Sequence, residues 1–92
     1  MIVKVDSSTT VLKDVIGGRY EIKGTGYLEC RITFISSGSY KVIIKTEDEN
    51  QITITGKGIS RINLDTDIFT IEVLESTDKL SIIVNNIKDY FF

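Results

Sequence analysis

The chain contains no histidine, no proline and no tryptophan, and alanine is missing as well. The lack of histidine bears hardest on function. A serine nucleophile loses its usual base, and a cysteine nucleophile loses the same partner. Zinc sites built from histidine and cysteine are excluded by count, because Cys30 is the only cysteine. That cysteine can form no intrachain disulfide. Its position between Leu28 and Ile32 on one face of a strand marks it as a small apolar filler rather than a reactive thiol, which would want cationic or histidine neighbours. No enzymatic activity and no cofactor are expected. Paired carboxylates for glycoside hydrolysis are the one surviving option, and every acidic cluster lies in a turn, with no sign of two carboxylates facing across a cleft.

Long apolar runs are missing too. Nothing approaches the ~18 residues of a membrane span, and Met1-Ile2-Val3-Lys4-Val5-Asp6 lacks the apolar centre of a signal peptide. Neither a membrane segment nor a signal peptide is expected, and localisation is otherwise unknown. Basic residues are not clustered: the formal charge is -2, and the eleven cations are scattered singly among acids. Nucleic acid and membrane surfaces are therefore not expected partners. The glycine pair in Gly24-Thr25-Gly26 would suit a phosphate cradle only if it opened a helix, and Tyr27-Leu28-Glu29-Cys30 opens a strand.

What is present is β-forming. Isoleucine, threonine and valine dominate, so helix is a minor component at most. At 92 residues the chain is read as a single domain, residues 1–92, with one modest core. The longest β signal runs from Tyr27 to Thr46. Leu28, Cys30, Ile32 and Phe34 share one face, Ser36-Ser37-Gly38-Ser39 has turn chemistry, and Tyr40, Val42 and Ile44 continue the inward series after it. This stretch is expected to form a β-hairpin turning at the serines.

Ile2 to Val5, Thr9 to Ile16 and Arg19 to Lys23 read as strands before it. After it, Gln51 to Thr55, Ser60 to Leu64, Ile68 to Leu74 and Leu80 to Asn85 place Ile52, Ile54, Ile62, Leu64, Phe69, Ile71, Val73, Leu80, Ile82 and Val84 inward. Gly56-Lys57-Gly58 reads as a break. Seven to nine short strands at a spacing of about 8 to 12 residues predict an all-β, antiparallel β-sandwich of jelly-roll-like topology, with a small closed barrel as runner-up. No segment supplies a crossover helix, so no parallel pair is expected.

Three features bear on partners. Ile35, Ile43, Ile68, Leu74 and Ile83 lie on the opposite face from the core series and could merge into an apolar patch that wants a partner. Tyr90-Phe91-Phe92 is expected to be buried, against this domain's own sheet or in another copy, because aromatics carry large burial energies and are enriched at interfaces. The acidic turns Glu47-Asp48-Glu49-Asn50 and Asp65-Thr66-Asp67 offer oxygen ligands for calcium. Neither matches the twelve-residue calcium loop, and solvated turns are the preferred reading.

In the run Ile22-Lys23-Gly24-Thr25-Gly26-Tyr27-Leu28-Glu29, then Tyr40-Lys41-Val42-Ile43-Ile44-Lys45-Thr46 and later Ile82-Ile83-Val84-Asn85-Asn86, a glycine-broken strand leads into a long hairpin, an acidic turn and a closing strand. This pattern resembles the small β-sandwich modules of virion and tail proteins from phages and archaeal viruses. Such modules often carry Asp-Gly after the second long strand, where this chain has Glu47-Asp48-Glu49-Asn50. The resemblance implies a non-catalytic assembly role in a virion-like particle, with a homo-oligomer or another structural protein as partner. The contact residues expected for such a role come from the strand faces and the aromatic tail: Ile35, Ile43, Tyr90, Phe91 and Phe92. The alternative is a carbohydrate-binding sandwich module stacking sugar on Tyr20, Tyr27 or Tyr40.

Overall fold

The computed structural model describes residues 2–4, 9–23, 29–66 and 68–87. Its strands are β1 (Ile2–Lys4), β2 (Thr9–Val15), β3 (Gly18–Lys23), β4 (Glu29–Thr46), β5 (Gln51–Leu64), β6 (Ile68–Ser76) and β7 (Leu80–Ile87). The all-β, mainly antiparallel expectation holds. The strands are fewer and longer than expected: β1 is a three-residue segment, and six strands form the body, two of them 18 and 14 residues long. No helix among the described residues is long and apolar enough to cross a membrane.

Everything is arranged on β4. Along one edge it pairs with β5 from Cys30↔Leu64 to Lys45↔Gln51. Its other edge is shared end to end by two strands, β7 against Glu29 to Ser36 and β6 against Tyr40 to Thr46. Outside these lie β3 on β6, β1 on β3, and β2 on β7, giving the order β1-β3-β6-β4-β7-β2 with β5 attached to β4. The result is one curled sheet, a half-barrel, rather than two clearly separate layers. It is not closed at β5, which pairs only with β4 among the described residues. β1 and β3 are parallel, contrary to expectation. A parallel crossover needs a dozen or more residues rather than a helix as such, and the stretch between Lys4 and Gly18, which includes β2, supplies them.

The hairpin expected at Ser36–Ser39 does not form. β4 runs through the serines as one strand, and the chain reverses at Glu47–Asn50 instead, where Glu49 N–H donates to Thr46 O at 3.1 Å and Thr46 N–H to Asn50 O at 3.0 Å. Likewise Gly56-Lys57-Gly58 does not end a strand, and β5 runs through it. Where Ser36 pairs with Gly58 and Ser39 with Lys57, two extra residues of β4 make a bulge that bends the long hairpin. Gly58 takes φ +80° at that bend, a conformation open to glycine.

The polar groups at the bend bond to the β6–β7 turn and leave their own strand extended. Ser36 Oγ donates to Lys79 O at 2.8 Å, Ser39 N–H donates to Thr77 Oγ1 at 2.9 Å, and Thr77 N–H donates to Ser39 O at 2.9 Å. Gly38 is required by close approach, since a Cβ there would sit 2.2 Å from Thr77 Oγ1.

Because the bulge adds an even number of residues, the inward series keeps its phase through the bend: Cys30, Ile32 and Phe34 on one arm, Tyr40, Val42 and Ile44 on the other, all buried. They pack with Ile22, Phe69, Ile71, Val73, Leu80, Ile82 and Val84 in a single core. Each such side chain contributes roughly 1.5–3 kcal/mol on burial. Tyr40 ties the two arms together at the bend, donating to Ser60 Oγ at 2.8 Å or to Gly58 O at 3.1 Å, with its ring 6.0 Å from that of Phe34.

Candidate interaction surface on the bent hairpin

The outward face of β4 and β5 carries the only sequence-derived contact residues that fall within the described part of the chain. Ile35 is 37 % exposed and Ile43 is half-buried. Of the others on the same faces, Leu74 is exposed, and Ile68 and Ile83 are half-buried. The expected five-residue patch is therefore only partly realised. Flanking strands cover Ile43, which pairs with Glu72 of β6 and Thr53 of β5. Tyr90, Phe91 and Phe92 lie outside the described residues.

Ile35 has a neighbour that the sequence reading passed over. It pairs directly with Ile59 of β5, which is 57 % exposed, so two isoleucines stand side by side on the outer face next to the bend. Directly opposed side chains in an antiparallel pair have Cβ atoms about 5 Å apart. The signal was present in the alternation Lys57, Ile59, Arg61, Asn63, all exposed. Taking Gly56-Lys57-Gly58 as a break hid it. Along β5 the stripe thus reads cation, isoleucine, cation, and neither Lys57 nor Arg61 makes an ion pair with a described residue. The inner face of β5 is also incompletely covered, with Ile52, Ile54 and Ile62 only partly buried against the core.

The bend has a second consequence. It brings the two acidic turns together: Thr46, Glu47, Asp48, Asn50 and Ile52 line one cleft of about 340 Å³ with Asp65 and Thr66, from opposite ends of β5. The Asp48 carboxylate is already engaged there. It accepts from Thr46 Oγ1 and from Asn50 Nδ2 at 2.9 Å, and the bond from Thr46 first of all holds its pKa below the usual carboxylate value. Among the described residues no group of three or more acidic, cysteine or histidine side chains is placed to hold a metal. At the bend, Asp78 accepts from Ser37 Oγ and from Lys79 N–H at 2.8 Å, and these bonds, Ser37 foremost, lower its pKa too. Both carboxylates organise turns.

Cys30 is fully buried, in keeping with its reading as filler. Tyr40 is 2 % exposed and so presents no face to a sugar, while Tyr20 is half-buried with its hydroxyl donating to Gly17 O at 2.8 Å. Tyr27 lies outside the described residues.

No family model matches the sequence, and no curated protein matches it significantly. Among solved structures, two crystal structures of the capsular polysaccharide assembling protein CapF from Staphylococcus aureus are similar, each at 20 % identity and a TM-score of 0.51 over 91 % of this chain. The match spans about a quarter of the CapF chain, 25 % in one structure and 26 % in the other. At this identity the likeness is one of fold.

Proposed function

We propose that the chain is a non-catalytic assembly module, joined to further copies through the outer face and free edge of the β4–β5 hairpin in a homo-oligomer or virion-like particle. In this reading the two arms of the bent hairpin face each other in a jelly-roll-like sandwich. The observation that carries the proposal is the exposed Ile35–Ile59 pair on a 14-residue strand whose second edge has no partner among the described residues. Open edges and apolar faces recruit strands and sheets. Lys57, Arg61 and the bend blunt uncontrolled edge pairing, which leaves the isoleucine-bearing face as the principal contact.

The carbohydrate reading loses Tyr40, which is interior, while Tyr20 is half-buried and Tyr27 lies outside the described residues. The name of CapF refers to capsular polysaccharide assembly, and no part of that role is carried over to this chain on a likeness of fold.

Sedimentation velocity tests the proposal. The wild type should sediment as an oligomer, and the double variant I35T/I59T should shift at least tenfold toward monomer, with its far-UV spectrum unchanged because both residues are already partly in water. A wild type that stays strictly monomeric across the micromolar range would sink the assembly role.

A further inference from the structure

The hairpin is electrically lopsided along its length. Its open end carries four exposed carboxylates: Glu47, Asp48 and Asp65 line one cleft and Glu49 belongs to the same turn, while Lys23 and Lys45 share a second cleft with Glu47 alone of the four. From the bend toward the middle of one arm runs the stripe Lys57, Ile59, Arg61, with Ile35 beside it and no acidic residue anywhere on β5. Glu75 and Asp78 also lie near the bend, but each has a lysine at hand, Lys41 across the strand pair from Glu75 and Lys79 next to Asp78. Six residues lie between Asn50 and Lys57, and six between Gly58 and Asp65, so the acidic end and the bend lie roughly 20 Å apart at about 3.3 Å per residue.

We infer that copies of this chain associate head to tail, with the acidic open end of one hairpin seated on the Lys57-Ile59-Arg61 stripe of the next. This deepens the assembly reading and rests on it. A second copy is the occupant because one molecule carries both halves of the complementary pair, while a net charge of only -2 leaves little overall repulsion between copies. A symmetric β5-to-β5 contact would instead bring Lys57 and Arg61 of both copies together, which like-charge repulsion disfavours. A contact between two different patches is heterologous and propagates into rings or filaments, as an assembly module requires.

Charge exchange tests the inference. K57E/R61E gives a molecule acidic at both ends, and E47K/E49K/D65K, which leaves three lysines against Asp48 at the open end, gives one basic at both. Asp48 is left alone because it holds the turn. In sedimentation at low salt each variant should associate at least tenfold more weakly than the wild type, and an equimolar mixture of the two should regain wild-type size, since each end then meets its opposite. Circular dichroism establishes that both variants are folded. If the wild type assembles while both variants assemble equally well alone, or if the mixture fails to recover, the head-to-tail contact is wrong and the assembly role survives. A monomeric wild type overturns both.

Discussion

Asp48, in a turn whose sequence offers oxygen ligands for calcium, spends its carboxylate on that turn, and Asp78 does the same beside the bend. Asp48 and Asp78 each accept hydrogen bonds that stabilise the charged form, from Thr46 and Ser37 respectively, so their folded pKa lies below the usual carboxylate value. A group whose pKa is depressed by folding adds stability above its unfolded pKa and loses it as pH falls through the folded value. The melting temperature should therefore hold near neutrality and decline from below ~pH 5 as these groups protonate. D48N/D78N keeps an acceptor oxygen at both turns but removes the titration. Its melting temperature should fall less steeply with acid than that of the wild type, and parallel curves would show that the two turns do not couple to pH.

Among the elements, β4 and β5 show where local sequence and final structure part company. The alternation of Cys30, Ile32, Phe34, Tyr40, Val42 and Ile44 was legible because a strand has a period of two, and those side chains are buried. The continuity of the strand was not legible. Ser-Ser-Gly-Ser has the composition of a turn, and what keeps it extended is a set of hydrogen bonds to Thr77 and Lys79, some forty residues away. The same bend hid Ile59 and the meeting of the two acidic turns, since both depend on one long hairpin folding over where two short ones were expected.

Gly38 makes this dependence testable. G38A places a methyl against Thr77 Oγ1 and should cost about 1–3 kcal/mol in urea denaturation. In a T77A background the penalty should shrink but persist, because Asp78 Cβ would still lie 3.1 Å away. Equal penalties in both backgrounds would mean that the turn does not brace the bend.

For the molecule as a whole, the side of the half-barrel bounded by β5 is the weak one. Ile52, Ile54 and Ile62 face inward there and are only partly buried, whereas their counterparts Ile44, Val42 and Ile32 on β4 are fully buried. A domain of this size has little stability to spare, so covering β5 with a neighbouring copy would make assembly part of what holds the fold. Partners that bind only the folded state stabilise it by mass action, at about 1.4 kcal/mol for each tenfold rise in concentration above the dissociation constant. For a domain near 100 residues this amounts to several degrees in melting temperature. Calorimetry between roughly 1 and 100 µM should thus show the wild-type midpoint rising by ~5–10 °C per decade once association begins, and the midpoint of I35T/I59T staying flat over the same range. A wild-type midpoint independent of concentration would place the stability of the β5 side within the single chain and remove the link between fold and assembly.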